Sequence, residues 1–404
     1  MKALILTNEY PPHIYGGAGV HVDYLTRELA RMMDVEVRFF GENGKETQGV
    51  QVYGGYLKRE LPSDLPESLR GVLATLDRNA GFVCDFIDAD VIHCHTWYTH
   101  LAGIIGKLTY GLPLVVTIHS LEPLRPWKRE QLGGGYDYSC WVERTAIEMA
   151  DAVIAVSEGT RQDVKQLFNV QDENLHVVYN GIESEDYFPG DSEDVLRKFG
   201  VNPDVPYVLF VGRITRQKGI VHLVRALEYL DEGVQVVLCA GAPDTPEIAE
   251  EMRQLVERMQ QKREGIHWIP EMVSKEDARA FYAGAQVFCC PSIYEPFGII
   301  NLEAMACETA VVASAVGGIR EVVVPGETGI LVELEQEEVS PFEPKNPDKF
   351  ARDLADAINA LMRDPERSQQ FGEAGRKRAL EKFSWRAIAK QTSGIYEKIT
   401  RKKG

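Results

Sequence analysis

The strongest chemical pattern in the sequence is a pair of carboxylates, Glu295 and Glu303, that follows an apolar run. The apolar run predicts a buried strand, and Gly298 marks the start of a predicted helix. At about 1.5 Å of rise per helical residue, the two carboxylates lie on the order of 10 Å apart, too far to share a proton. They suit hydroxyl groups at two ends of an extended ligand, and the amides of Gly298 and Ile299 suit a phosphate between those ends.

A second pattern is cationic and follows another predicted strand. Arg213, Arg216 and Lys218 lie within six residues of one another, although the chain as a whole is strongly acidic. Arginine offers a planar fork of donors and lysine a point charge, and both bind phosphate oxygens. This loop therefore favours a phosphate-bearing ligand over a merely solvated turn.

A glycine-rich loop, Gly16-Gly17-Ala18-Gly19, follows the first predicted strand and opens a helix. Glycines let backbone amides approach an anion at the positive end of a helix dipole. The third glycine of a G-x-G-x-x-G pattern is missing, which weakens a dinucleotide interpretation. A diphosphate-binding loop, with Gly17 supplying an amide, is favoured over a flexible turn.

Histidines and a tryptophan follow two more strands. His93 and His95 share one face of a strand that ends before Trp97, and His119 follows the next strand. His93 and His95 could bind a metal as a pair, but the sequence suggests no third ligand nearby. Asp88-Ala89-Asp90 resembles a metal-binding motif but precedes its strand instead of following it. No metal is therefore expected. His95 and Trp97 are predicted to line a ligand site, with core packing as the alternative, and His119 is equally compatible with a functional and a structural role.

Short apolar runs alternate with amphipathic segments, which is typical of parallel sheets covered by helices on both faces. The predicted strands are residues 3–7, 35–40, 91–95, 114–118, 152–156, 175–179, 207–211, 235–240, 267–269, 285–290 and 310–313. Helices are predicted over residues 20–32 and 220–230, and residues 333–348 are predicted to be an acidic surface loop. A polar stretch over residues 180–191 interrupts the alternation, so the sequence predicts two doubly wound α/β lobes joined by a hinge. Because ligands bind such sheets at the carboxyl ends of their strands, the lobes are expected to face a central cleft.

Composition narrows the class of protein. Acidic residues outnumber basic ones by 61 to 44, which gives a net charge of −17. Such a chain repels nucleic acids and anionic membranes, so neither is an expected partner. No apolar run reaches the roughly 18 residues of a membrane-spanning helix, and the N-terminal run is typical of a strand and not of a signal segment. The seven cysteines include no C-x-x-C pair, which favours buried thiols of a cytoplasmic protein.

Together these segments resemble the retaining glycosyltransferases of family 4, which have the GT-B fold of two Rossmann-like lobes. Glu295 and Glu303 match the E-x7-E motif of that family, and Gly212-Arg213 with Lys218-Gly219 match its donor-phosphate segment. Longer stretches that carry a closer resemblance, to the actinobacterial-type glycogen synthases and their α-maltose-1-phosphate synthase members, are residues 10–22, 119–128 and 211–219. The resemblance covers essentially the whole chain. It implies transfer of glucose from ADP-glucose, with retention, to form an α-1,4 bond on an α-glucan or on glucose 1-phosphate.

The resemblance also implies residue roles. Arg213 and Lys218 would hold the donor diphosphate and neutralise the departing nucleotide. Glu303 would bind the ribose hydroxyls and Glu295 the hydroxyls of the transferred glucose. His119 would contact that glucose near its reacting face. Because a nucleoside diphosphate is a good leaving group, positioning and electrostatic stabilisation would suffice, without a protein nucleophile, a metal or a cofactor.

The remaining implied roles concern backbone amides of the chain that would contact the donor, and side chains that would contact the acceptor. Gly17, Gly298 and Ile299 would present amides to the donor; the acceptor would meet four further residues, His95, Trp97, Trp127 and Lys128. The final segment would return to the first lobe as a helix. The N-terminal, acceptor-side lobe is therefore predicted over residues 1–183 and 385–404, and the donor lobe over residues 184–384.

Three alternatives stay open. A family 4 transferase could use UDP-glucose or a GDP-sugar with a different acceptor, because the base pocket has no readable code in one sequence. A sugar-nucleotide 2-epimerase has a similar two-lobe fold, and the loop containing Lys128 argues against it. A non-enzymatic sugar-binding protein is disfavoured because the set of functional residues is intact. The sequence leaves a homodimer open.

Overall fold

A computed structural model describes residues 1–14, 16–42, 49–56, 62–338 and 340–401. The chain forms two compact units: unit 1 comprises residues 1–181 and 385–404, and unit 2 comprises residues 182–384. No helix in the described ranges is long and apolar enough to cross a membrane. Tyr15, which lies within the residues 10–22 that carry the resemblance, falls outside the described residues.

Unit 1 is an α/β unit built on one parallel sheet. Its strands within the described residues are β1 (Lys2–Thr7), β2 (Asp34–Phe39), β3 (Val50–Tyr53), β4 (Val91–His95), β5 (Leu114–Ile118), β6 (Ala152–Ala155) and β7 (Leu175–Val177). The accompanying helices are α1 (Gly17–Ala30), α2 (Glu67–Cys84), α3 (Trp97–Tyr110), α4 (Lys128–Leu132), α5 (Gly135–Met149) and α6 (Glu158–Leu167). The sheet order is β3-β2-β1-β4-β5-β6-β7. Successive strands are therefore added on one side of β1 as far as β3 and on its other side from β4 onward. The strand order reverses between β1 and β4, and ligands bind at such a switch point.

Unit 2 repeats this arrangement. It begins with α7 (Glu193–Lys198), and its described strands are β8 (Tyr207–Arg213), β9 (Gln235–Gly241), β10 (Ile266–Ile269), β11 (Val287–Cys290), β12 (Ala310–Ser314) and β13 (Gly329–Val332). Its further helices are α8 (Ile220–Ala226), α9 (Pro246–Gln260), α10 (Lys275–Gly284), α11 (Ile299–Ala306), α12 (Ile319–Val322), α13 (Pro347–Met362) and α14 (Pro365–Lys382). The sheet order is β10-β9-β8-β11-β12-β13, so its switch point lies between β8 and β11.

The last helix, α15 (Trp385–Arg401), belongs to unit 1. Trp385 stacks on Tyr24 of α1 with ring centroids 5.6 Å apart, and the hydroxyl of Tyr396 lies 2.6 Å from His93 Nδ1 on β4. Both aromatic side chains of α15 are buried in the unit 1 core. The C-terminal segment thus completes one face of the first sheet.

The predicted fold class of two parallel-sheet Rossmann-like lobes is confirmed. Strands such as β11 and β12 are buried along their whole length, because helices cover both faces of the sheet. The prediction misses β3 and β13, which are short strands at the edges of their sheets. β3 alternates buried and exposed residues over four positions, and β13 is four residues long and begins with a glycine, so both signals are short; the other two edge strands, β7 and β10, are among those predicted.

Most predicted strands differ from the structure by one or two residues at an end, and two predicted helices and the predicted loop differ as follows. α1 begins at Gly17, three residues before the predicted start, so the glycine loop supplies the first helical turn. α8 ends at Ala226, where a short 3-10 turn follows, and Arg263 Nη1 donates to the carbonyl of Leu227 at 2.8 Å. Of the predicted acidic loop, the described part of residues 333–346 carries neither helix nor strand apart from one isolated bridge, and α13 begins at Pro347.

Candidate active site

The switch points of the two units carry different side chains. In unit 1 the glycine loop forms the N-terminus of α1. The amide of Gly16 donates to Glu9 Oε2 at 2.8 Å, and a side chain at Gly19 would lie 2.8 Å from the same oxygen. Gly17 is the first helical residue and is exposed. Its predicted contact with a diphosphate stays a prediction, and the carboxylate of Glu9 already accepts the neighbouring amide.

Three histidines come together at the same end of the unit 1 sheet. His95 is the last residue of β4, His119 follows β5, and His21 lies on α1. His95 Nδ1 lies 3.0 Å from His119 Nε2, and the rings of His21 and His119 meet edge to face with centroids 4.7 Å apart. His21 Nδ1 is 2.6 Å from Asn180 Oδ1. The strand-end positions of His95 and His119 are therefore adjacent, and a helix contributes the third ring.

A fourth histidine supports this cluster from behind. His93, also on β4, has Nδ1 at 2.6 Å from the hydroxyl of Tyr396 and Nε2 at 2.7 Å from the hydroxyl of Thr117. Both ring nitrogens are thus committed to partners inside unit 1. His93 is a structural residue that connects β4, β5 and α15, and it has no nitrogen left for a ligand.

Burial keeps these imidazoles neutral. Removal from water lowers the pKa of His21 to about 4, despite the opposing hydrogen bond to Asn180. Burial also lowers the pKa of His95 and of His119 well below the usual value, and the neighbouring histidines add to this effect. A charged imidazole is disfavoured in such a site because burial penalises the charged form. At neutral pH the cluster therefore offers neutral donors and acceptors.

The side chains predicted to bind the acceptor are more buried than a site open to solvent requires. Trp97 is 6% exposed, packs in the apolar core of unit 1 and stacks on Tyr98 with centroids 4.0 Å apart. Trp127 is 8% exposed, and Lys128 begins α4 and is half-buried. A sugar ring that stacks on an indole needs an exposed face, and core packing accounts for the position of Trp97. The acceptor assignment of these residues stays a prediction.

The loop that leads to α4 is held by buried carboxylates. Glu122 accepts a hydrogen bond from the hydroxyl of Ser139 at 3.0 Å, and its amide donates to Glu143 at 2.9 Å. Burial raises the pKa of Glu143 well above its usual value, and the adjacent Glu122 adds to this effect. Glu143 is therefore favoured in its protonated form, which reduces the repulsion between the two acids. These contacts fix the segment that precedes Trp127 and Lys128.

In unit 2 the switch point is charged. Arg213 is the last residue of β8 and forms an ion pair with Asp244, which follows β9. Lys218 precedes α8, and its Nζ lies 2.6 Å from Glu295 Oε2. The side chain of Lys218 is 21% exposed and that of Glu295 is 9% exposed, so the pair is largely shielded from water. Of the three cations predicted from the sequence, Arg213 ends β8 and Lys218 lies in the loop that follows, each with a carboxylate beside it, whereas Arg216 is exposed.

Burial acts to lower the pKa of Lys218, but the negative charges of Glu295 and of Glu303 outweigh it. The pKa of Lys218 is consequently raised above its ordinary value. The ammonium group is therefore charged at neutral pH, as a phosphate ligand requires. A buried ion pair of this kind needs further polar contacts, and the hydroxyl of Ser292 supplies one to Glu295 at 3.3 Å.

Two glycines fix the backbone around Glu295. The amide of Gly318 donates to the carbonyl of Glu295 at 3.0 Å. Gly317 has a positive φ of 45°, and a side chain there would lie 2.1 Å from the same carbonyl oxygen. Only glycine fits this close approach without displacing backbone. The turn after β12 thereby sets the position of the loop that carries Glu295.

Glu303 lies on α11, whose N-terminal cap is Gly298 with a φ of 99°. The hydroxyl of Tyr282, on α10, donates to Glu303 Oε2 at 2.9 Å. Burial raises the pKa of Glu303, while hydrogen bonds from Tyr282 and Tyr187 and the charge of Lys218 oppose that rise. Gly298 and Ile299 begin the helix as predicted, and their contact with a phosphate stays a prediction.

The structure thus brings together two sets of predicted residues, His95 with His119 and Lys218 with Glu295 and Glu303. Sequence reasoning missed three partners: His21, Asp244 and Tyr282. His21 and Asp244 carried a signal, because the first ends the glycine-loop motif and the second follows a strand. Tyr282 lies within a helix and has no local signal.

Two protein-family models match the chain, and the boundary between them lies close to the boundary between the two units. A family described as Glycosyltransferase Family 4 matches residues 15–186, and one described as Glycosyl transferases group 1 matches residues 191–378. The α-maltose-1-phosphate synthase of Mycolicibacterium smegmatis is 49% identical over 99% of this chain and 100% of its own length. That of Mycobacterium tuberculosis is 46% identical over 99% of this chain and 100% of its own. Among solved structures, a sucrose-phosphate synthase from Thermosynechococcus elongatus has a TM-score of 0.79 at 24% identity, with 99% of each chain covered, which shows a shared fold.

The paired Rossmann-like units and these matches define a glycosyltransferase with the GT-B fold. Within that class, the chain belongs to glycosyltransferase family 4, and it is similar over its full length to the α-maltose-1-phosphate synthases. The family predicted from the sequence is confirmed.

Proposed function

We propose that this glycosyltransferase transfers glucose from ADP-glucose, with retention of configuration, to form an α-1,4 bond. The acceptor is glucose 1-phosphate, which gives maltose 1-phosphate, or the end of an α-glucan. Full-length similarity to α-maltose-1-phosphate synthases supports the product. The observation that carries the proposal is the contact of Lys218 with Glu295 beside Glu303, at the switch point of unit 2.

This cluster has the groups that a nucleotide sugar needs. The ammonium of Lys218 and the guanidinium of Arg213 are cations at the carboxyl ends of parallel strands, and they would bind the diphosphate. Glu303 would accept hydrogen bonds from the ribose, and Glu295 from the transferred glucose. Charge that develops on the departing diphosphate would be stabilised by groups that are already in position.

The neutral cluster of unit 1 suits the sugar. His119 is half-buried and, as an uncharged imidazole, it can exchange hydrogen bonds with hydroxyl groups without bringing a second charge to the reacting carbon. The donor is already activated, so the chain need only hold the acceptor hydroxyl on the face of the glucose ring from which the nucleoside diphosphate departs. The new bond then forms on the same face as the bond that breaks. Retention then requires no covalent intermediate. This role predicts transfer in the presence of a metal chelator.

The test is a matrix of donors and acceptors. Purified protein with EDTA receives ADP-glucose, UDP-glucose or GDP-glucose, each with glucose 1-phosphate or with glycogen. Nucleotide release is measured, and the product is isolated and its linkage and anomeric configuration are read by NMR. We expect ADP release with formation of α-linked maltose 1-phosphate or with elongation of the glucan.

Each other outcome changes a specific part of the proposal. Release of UDP or GDP alone would replace the donor and favour a family 4 transferase with another acceptor. An inverted linkage would contradict retention. Interconversion of the sugar nucleotide without transfer would indicate an epimerase. No nucleotide release with any donor would contradict the proposed activity altogether.

A further inference from the structure

The histidine cluster of unit 1 has a property that sugar binding does not require. His21, His95 and His119 each offer one ring nitrogen, and these three nitrogens all lie within 4.8 Å of one another. Within the described part of the chain, this is the group of three histidine, cysteine, aspartate or glutamate side chains whose ligand atoms lie close enough to share a metal ion. It consists of histidines alone. The residues come from a helix, a strand end and a loop, so the fold and not a local motif assembles them.

The hydrogen bonds leave a ligand atom free on His21 and on one ring of the His95–His119 pair. Because the 3.0 Å bond between His95 Nδ1 and His119 Nε2 occupies one lone pair, the ion must replace that bond to bind all three rings. Asn180 Oδ1 can only accept, so its 2.6 Å contact places the proton of His21 on Nδ1 and the lone pair on Nε2. Among the described residues, His21 Nε2 is buried without a hydrogen-bond partner, and so is His95 Nε2. A histidine that donates one nitrogen to a carbonyl oxygen and presents the other to the site is the usual arrangement around a bound metal.

Charge and ligand type select the ion. Neutral imidazoles suit zinc, cobalt, nickel and copper, whereas magnesium and calcium prefer oxygen ligands. Three protein nitrogens fill three of the four positions of a tetrahedral ion. Because His119 is partly exposed, water can take the fourth.

We propose that His21, His95 and His119 form a three-histidine site for a divalent cation of the zinc class, and that its occupation inhibits the enzyme. The binding rests on the proximity of the three ring nitrogens and is independent of the proposed function. The inhibition rests on the proposed function, since a metal on His119 takes the nitrogen that would serve the glucose. Zinc is then an antagonist of a reaction that proceeds without metal.

The first experiment reads binding without any donor or acceptor. Zn²⁺ is titrated into metal-free protein by calorimetry, and Co²⁺ is titrated as a spectroscopic probe of coordination geometry. We expect one Zn²⁺ per chain and an intense Co²⁺ spectrum of low coordination number. A weak, water-like Co²⁺ spectrum with the wild-type protein would overturn the proposal without recourse to any variant.

Variants then locate the ion. His21→Gln should weaken Zn²⁺ binding at least tenfold, and Asn180→Ala, which removes the contact that orients His21, should weaken it by about tenfold. His267→Gln, which changes a half-buried histidine of β10 in unit 2, is the matched control and should bind Zn²⁺ as the wild type does. Thermal unfolding checks that each variant folds. Equal affinity in wild type and His21→Gln would place the ion elsewhere and overturn the site.

The inhibition is measured separately. Zn²⁺ should abolish nucleotide release at the concentration that saturates the site, and EDTA should restore it. Zinc binding at this site without inhibition would contradict the inhibitory role while leaving the site intact. Absence of transfer in EDTA would instead contradict the proposed function, so the two failures are distinguishable.

Discussion

The switch points of the two units occupy the same place in the same strand order, yet one is neutral and the other is charged. In unit 1, β1 and β4 flank the order reversal, and buried imidazoles line the strand ends. In unit 2, β8 and β11 flank it, and the strand ends carry Lys218 and Arg213 beside carboxylates. Topology sets where functional side chains lie in both units, and the residue types set the chemistry.

The difference shows how each unit manages burial. The histidines of unit 1 avoid the cost of a buried charge by staying neutral, with their pKa values lowered. Unit 2 keeps its charges and pairs each cation with a carboxylate, which raises the pKa of Lys218. Under the proposed function, the charged unit holds the diphosphate and the neutral one contacts the sugar. The predictions below test that division.

The largest effect is expected from Lys218→Ala. Loss of one preorganised charge at the departing phosphate should lower kcat/KM by about 1000-fold. It should also weaken ADP binding, measured by calorimetry, because the diphosphate loses a cation. Lys262→Ala removes an exposed lysine, 49% accessible and paired with Glu228, and should leave both quantities unchanged.

The Lys218 substitution leaves the buried Glu295 without its ion-pair partner, so folding must be checked by thermal unfolding. Lys218→Gln keeps a hydrogen-bond donor toward Glu295 and removes only the charge. Turnover at the wild-type rate by a folded variant of either kind would refute the phosphate role.

A smaller loss is expected from His119→Ala, about 100-fold in kcat, because one donor to the reacting sugar disappears. In contrast to the Lys218 variants, His119→Ala should bind ADP with unchanged affinity. His267→Ala serves as the control from unit 2. Loss of ADP affinity in His119→Ala would break the proposed division between a phosphate-binding unit and a sugar-binding unit.

Tyr282→Phe should produce a modest change in donor binding. It removes the hydroxyl that donates to Glu303 at 2.9 Å, and such a bond is worth roughly 0.5–1.5 kcal/mol. The KM for the donor should rise by about three- to tenfold with little change in kcat, since Tyr187 continues to support the carboxylate. Tyr110→Phe, in which an exposed tyrosine of unit 1 is changed, is the control. An equal fall in kcat would show that Tyr282 acts on the reaction step as well.

The smallest effect concerns stability in acid. His100 of α3 is buried, and burial lowers its pKa to about 3. Well above pH 6.5, the ordinary pKa of histidine, neither the folded nor the unfolded state is protonated at this residue. As the pH falls through 6.5 the unfolded state gains a proton that the folded state does not, so the free energy of unfolding decreases. Between pH 7 and pH 6 one such histidine should cost about 0.7 kcal/mol.

His100→Leu should remove this contribution and flatten the acid decline by that amount, measured by urea unfolding at the two pH values. His267→Leu is the comparison in unit 2, where the histidine is half-buried and burial also lowers its pKa. An identical pH dependence in wild type and His100→Leu would show that the pKa of His100 is not lowered in the folded protein.

The sequence predicted the architecture because the signals for it are local. Alternating apolar and amphipathic segments identified most strands, and the carboxyl end of each strand identified Arg213, Lys218 and His119 as candidates. β3 and β13 escaped notice, since β3 alternates buried and exposed residues over four positions and β13 begins with a glycine, whereas the edge strands β7 and β10 were predicted. Trp97 shows the converse limit: an aromatic residue after a strand end is compatible with a sugar platform, and its burial in the core follows from neighbours distant in sequence.

By itself, then, the sequence determined the fold class, the family and the strand ends where the chemistry lies, because hydrophobic periodicity and motif spacing act over short stretches. Only the tertiary structure decided which groups are partners and in what protonation state. Lys218 meets Glu295 across 77 residues, and His21 meets Asn180 across 159. Pairing and burial over such separations set pKa values and ligand availability, and no local pattern encodes them.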